Sequence, residues 1–103
     1  MATTTDNEHP VVLMDVTLLV FSCEGRTHLL RATMESFRRQ CPFAFAETIH
    51  AHDGEMDPAA ASFVQPGRLV QNCQRRGYVQ SILQALAIVR TPYVFWLEDD
   101  WEF

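Results

Sequence analysis

YVFWLEDDWEF, residues 93–103, runs from unbroken apolar side chains straight into Glu98, Asp99, Asp100 and Glu102. Consecutive acids repel: two unit charges about 4 Å apart cost on the order of 4 kcal/mol at an effective dielectric near 20. A buried strand aimed at such a cluster calls for compensation by water, a basic neighbour, a raised pKa or a divalent cation. Taken alone, the stretch also fits a strand that simply runs out into solvent, where acids are well hydrated. Its position in the fold decides between these readings, so the rest of the chain has to be placed around it.

Upstream, VTLLVF (16–21) is a short apolar run with little alternation, as expected for a strand buried on both faces of a parallel sheet. After the polar turn SCEGR (22–26), the segment 27–40 reads as a helix. Leu30, Met34, Phe37 and Cys41 recur on one face, Thr27 stands at the N-cap, and Cys41-Pro42 ends the run. AETIHAHDGE (46–55) reads as a second strand closing on the turn pair Asp53-Gly54. EMDPAAASFVQPG reads as loop with a short helical turn, and RLVQN (68–72) as a short third strand. From Gly77 the spacing turns helical again, with Val79, Ile82, Leu83, Leu86 and Val89 on one stripe, until Thr91-Pro92. YVFWL (93–97) is the fourth strand.

The order β-α-β-loop-β-α-β predicts an α/β fold, a Rossmann-like and mostly parallel sheet with helices on both faces. Right-handed crossovers leave few windings, of which the strand order 3-2-1-4 is favoured. In such a sheet the ligand sits beyond the carboxyl ends of the strands at the topological switch point. SCEGR, HDGE and EDDWE all fall there. Residues 1–14 read as a flexible leader and 15–103 as the folded part.

Composition narrows the classes. Hydrophobic residues make up 48% and charged ones 20%, as in ordinary globular domains, and the net charge of −5 argues against nucleic acid as a partner. The three cysteines, Cys23, Cys41 and Cys73, form no CxxC pair. They read as reduced, semi-buried thiols of a cytoplasmic protein rather than a zinc site or a disulfide framework. The run VVLMDVTLLVF is too short to span a bilayer and is interrupted by Asp15, so no transmembrane segment is expected. P-loop and GxGxxG fingerprints are absent.

LLVFSCEGRTHLLRATMESF, then AHDGE, then YVFWLEDDWEF together resemble the nucleotide-sugar-binding half of a GT-A glycosyltransferase. The general layout is similar to the broad family-two enzymes. The Glu98-Asp99-Asp100 version of the Asp-x-Asp motif is similar to that of N-acetylglucosaminyltransferases acting on N-glycans. Ser36-Phe37 matches the Ser-hydrophobic pair that ends the first helix. The resemblance covers roughly residues 16 to 103. It implies a partial GT-A domain that binds a UDP- or GDP-type nucleotide-diphosphate sugar through Mn²⁺ or Mg²⁺. The complete enzyme would transfer that sugar to an acceptor hydroxyl.

Carried over by position, Asp100 would hold the metal, and Glu98 and Asp99 would hold ribose or metal-bound water. Asp53 would accept a hydrogen bond from the nucleobase, and the turn bearing Ser22, Glu24 and Arg26 would wrap base and ribose. The chain departs from the family pattern at Ser22, where a Pro is usual, and at His52, where a second acid is usual. The acceptor pocket and catalytic base normally follow the metal motif. The chain is therefore expected to be a donor-binding portion, weak or inactive alone, with no catalytic residue of its own.

Other residues have their own readings. Arg75 and Arg76 lead into the second long helix, and Arg76 there could meet a diphosphate with help from the helix N-terminus. His50 and His52 would point to one face of a strand, where two imidazoles can share a metal. Without further ligands, however, His50 reads as a polar side chain on the sheet surface. Trp96 and Trp101 read as core and rim packing. Two rival classes remain: a sugar-nucleotide nucleotidyltransferase, for which SCEGRTH is a poor phosphate loop, and a non-enzymatic α/β domain with an acidic metal pocket.

Overall fold

The computed structural model describes residues 11–74 and 76–101; most of the expected leader, together with Arg75, Glu102 and Phe103, lies outside them. The elements alternate as β1 (Val12–Cys23), α1 (Thr27–Gln40), β2 (Ala44–Asp53), α2 (Pro58–Val64), β3 (Arg68–Asn72), α3 (Tyr78–Leu86) and β4 (Tyr93–Glu98). All pairings are parallel and the sheet order is β3-β2-β1-β4, the winding expected from the sequence. The chain steps outward from β1 to β2 and β3. It then returns through α3 to the other side of β1, so the switch point lies between β1 and β4.

The two faces of the sheet carry separate cores. Leu18 and Val20 of β1, with Leu97 of β4, pack against Leu30, Met34 and Phe37 of α1 and Ala60 and Val64 of α2. Leu19 and Phe21, with Ile49 and Ala51 of β2, pack against Ile82 and Ala85 of α3. A strand covered on both sides has no polar face, which is why β1 reads as a continuous apolar run. Each of the larger apolar side chains here, taken fully out of water, contributes roughly 2 kcal/mol. No described helix is long and apolar enough to cross a membrane.

Three local differences from the sequence reading have physical causes. β1 begins at Val12, inside the expected leader; Val12 and Leu13 pair with Ala44 and Phe45 before a register irregularity that ends at Thr17. Main-chain pairing rather than burial holds this part, since Val12 and Met14 are exposed although apolar. The segment read as loop contains α2, for which Asp57 caps the amide of Ala59 and Pro58 occupies the first turn. In α3 only Ile82 of the expected stripe is buried within the helix, beside Ser81 and Ala85, while Val79, Leu83 and Leu86 face outward. Polar anchors set that rotation, because Ser81 accepts a 3.0 Å hydrogen bond from Asn72 beneath it.

Cys23 and Cys41 are partly buried, as expected, whereas Cys73 is exposed; none of the three forms a disulfide.

Candidate functional site

Phe21 near the end of β1 pairs with Glu98 at the end of β4. That register delivers the turn after β1 and the acids after β4 to one rim. Between them opens a cleft of about 180 Å³, lined by the rings of Phe21 and Tyr78, by Cys23, and by Arg26, Asp53, Glu98, Asp99 and Asp100. Five of the eight residues singled out from the sequence are thus brought together.

Arg26 supplies the compensation that the acid run demands. Its Nε lies 3.1 Å from Asp99 Oδ1 and its Nη2 lies 3.1 Å from Asp100 Oδ2. Asp99 is buried, and its second oxygen accepts the Cys23 amide at 3.2 Å. Burial raises the Asp99 pKa, opposed by Arg26 and by that amide. Asp99, against the opposing effect of burial, in turn raises the pKa of the guanidinium. Asp100 differs in exposure: half of its side chain is open to solvent. Arg26 itself occupies the N-cap of α1 and, having only donors, offers the helix no side-chain cap, so Thr27 is the first helical residue rather than the N-cap.

Glu98 is held by aromatic donors. Its Oε2 accepts the Tyr78 hydroxyl at 3.0 Å and the Trp96 indole N–H at 3.1 Å. The Tyr78 ring meets Phe21 edge-on at 4.9 Å. Burial, then Glu98, raises the Tyr78 pKa, so the phenol stays a donor. Tyr78 and Phe21 were not singled out in sequence, although Trp96 and Glu98, two apart on a strand, share a face by simple alternation.

Asp53 is buried under the start of α3. Its Oδ1 accepts the Arg76 amide at 2.8 Å and its Oδ2 the Gly77 amide at 3.0 Å. Burial would raise its pKa, but those amides, with Ser81 and Asn72, hold it below the usual carboxylate range. The α3 N-terminus, expected to help Arg76 meet a diphosphate, therefore already holds the Asp53 carboxylate. The Arg76 contact in this network is made by its main chain, and the residue does not line the cleft.

Ser22 and Glu24 also stand outside the cleft. Glu24 is exposed and accepts the Glu55 amide at 3.0 Å. Ser22 points to the opposite face of the sheet and is fully buried; its Oγ lies 2.7 Å from both His50 Nε2 and His52 Nδ1. His52 Nε2 lies 3.0 Å from the Glu55 carbonyl, which can only accept, so Nε2 carries the proton and Nδ1 accepts from Ser22. Ser22 then accepts from His50 Nε2, which leaves His50 Nδ1 as a buried lone pair without a hydrogen-bond partner. His50 is thus not a surface side chain. Nor is the pair poised as a metal site, since both inner nitrogens are committed to one hydroxyl.

A larger hollow of about 460 Å³ lies beyond the β1–α1 turn, lined by Gly25, Thr27, His28, Arg31, Asp57 and Phe63. Its charged groups have partners already: Asp57 caps α2, and Arg31 pairs with Glu35. The smaller cleft, with its converging charges at the switch point, is the better candidate.

Among the described residues no group of three or more His, Cys, Asp or Glu forms a ready-made metal cage. Mg²⁺ and ions like it need no such cage when substrate phosphates complete the coordination, for which one or two carboxylates suffice. Asp100 suits that role, being ionisable, half-exposed and already drawn to a cation in Arg26. Comparisons of the chain with protein-family models, with curated proteins and with solved structures yield no match.

Proposed function

We propose that this cleft binds the diphosphate of a nucleotide sugar, as the donor-binding part of a metal-dependent GT-A-type glycosyltransferase. The observation that carries the reading is the convergence of Asp100, Arg26 and Asp53 on one cleft at the switch point of the sheet. Asp100, with Asp99 behind it, would hold Mn²⁺ or Mg²⁺, which when bound offsets the charge developing on the leaving nucleoside diphosphate. Glu98, oriented by Tyr78 and Trp96, presents an acceptor of fixed direction for ribose hydroxyls. The half-exposed Tyr78 ring, braced against buried Phe21, offers an apolar surface for a base. Asp53 holds this surface in place, because it fixes the start of the helix that Tyr78 begins. Its part in donor binding is thus to position Tyr78 rather than to contact the base first.

Thermal denaturation with UDP or GDP, with and without Mn²⁺, tests the reading. At ligand near one hundred times its Kd, binding adds about 2.7 kcal/mol of stability. A domain of this size should then melt roughly 10 °C higher, and only when nucleotide and metal are both present. Asp100→Ala is expected to abolish that shift while leaving the ligand-free melting temperature nearly unchanged, since Asp100 is half-exposed. A shift from nucleotide alone that survives Asp100→Ala would refute the metal-bridged mode.

A further inference from the structure

The guanidinium of Arg26 has one anchored end and one releasable end. Its Nε meets Asp99, which is buried and tied to the Cys23 amide. Its Nη2 meets Asp100, whose side chain is half in solvent. Ion pairs of the second kind are screened by solvent and are easily exchanged. Arg26 also lines the cleft in which Asp100 stands.

A divalent cation held by Asp100 would lie within a few ångströms of Nη2. A double and a single positive charge that close repel one another strongly. That repulsion disfavours both cations on Oδ2, the Asp100 oxygen that Arg26 meets. The fork of a displaced guanidinium matches phosphate oxygens bidentately.

We propose that Arg26 is an exchangeable cation: it holds Asp100 in the empty cleft, yields that carboxylate to the metal, and turns its freed Nη2 to the diphosphate. This rests on the donor-site reading above and adds a coupling to it. Metal alone must displace Arg26, and diphosphate alone must compete with Asp100 for it. Each ligand removes the obstacle to the other, so the two bind cooperatively.

The test uses the whole chain, with Mn²⁺ affinity read from the electron paramagnetic resonance signal of the free ion and UDP affinity from calorimetry. Arg26→Gln is expected to bind Mn²⁺ alone about ten-fold more tightly than the native chain, and UDP in saturating Mn²⁺ about ten-fold more weakly. Arg26→Lys keeps the charge and is expected to stay near the native Mn²⁺ affinity. It serves as the second variant if Arg26→Gln does not fold, its UDP affinity still falling because an ammonium cannot fork.

Unchanged or weaker Mn²⁺ binding by a folded Arg26→Gln, with UDP still bound by the native chain, would overturn the exchange and leave the donor reading intact. Tighter Mn²⁺ binding with no UDP bound by either protein would support the metal exchange, discard its diphosphate half and sink the donor reading. No Mn²⁺ binding by either protein would overturn both.

Discussion

Acidification from about pH 6.5 towards pH 3 is expected to strip on the order of 4 kcal/mol from the folded state through His50 alone. Burial, reinforced by His52, lowers the His50 pKa from 6.5 to about 3. The unfolded imidazole therefore takes up a proton near pH 6.5, while the folded one refuses it until about pH 3. Within that window the unfolded chain binds more protons, so stability falls with pH, by up to about 1.4 kcal/mol per unit. The contribution is whole above pH 6.5 and gone below about 3.

Geometry gives the cause: Nε2 is committed to Ser22, and a proton on Nδ1 would be a buried charge with no acceptor. Small domains are stable by only about 5–15 kcal/mol, so the loss is large enough to unfold one of modest stability. His50→Gln keeps a donor for Ser22 but cannot titrate. Urea denaturation from pH 7 to 4 should show a clearly shallower decline for this variant than for the native chain. Parallel declines would show that His50 is not the responsible group.

Replacing Asp53 by Ala is expected to destabilise the fold by about 3 kcal/mol, through loss of two charge-assisted hydrogen bonds and of the anion at the head of α3. Asp53→Asn keeps an acceptor but loses the charge, and should cost about half as much. Amide hydrogen exchange offers a local readout: the Arg76 and Gly77 protons should become the most accelerated in either variant. The carboxylate also adds an acid limb. Its folded pKa is depressed, so its contribution is present above the ordinary carboxylate pKa and lost as pH falls through the lower folded value. Unaltered stability in Asp53→Ala would mean that the carboxylate serves only a ligand.

The fold was legible because its longest signals agree with one another. The apolar runs of β1 and β4 reflect two-faced burial, and the spacing of Leu30, Met34 and Phe37 reflects one face of α1. Both are imposed by water and survive without knowledge of partners. The rotation of α3 was not legible, because an Asn72–Ser81 hydrogen bond and the Asp53 carboxylate override its apolar stripe. The site was half legible. Acids at strand ends announce themselves, but alternation along β1 sends Ser22 to the far face, and the turn directs Glu24 to the β2–α2 loop. That Arg26 bridges Asp99 and Asp100 depends on register between strands far apart in sequence, which no local pattern encodes.

The two margins of the sheet are unequally guarded. β3 is short and carries Arg68, which is paired with Glu47 and also donates to the Ile88 carbonyl. β4 instead exposes Tyr93 at the opposite margin, while Phe95 packs its ring against Phe37 and Phe45, and its acids gather only at one tip. Among the described residues no strand flanks β4, and an aromatic-rich edge of that kind is a template for edge-to-edge stacking, whereas charge and brevity discourage it. Clumping of this molecule at high concentration should therefore start along β4, and Tyr93→Lys should delay it.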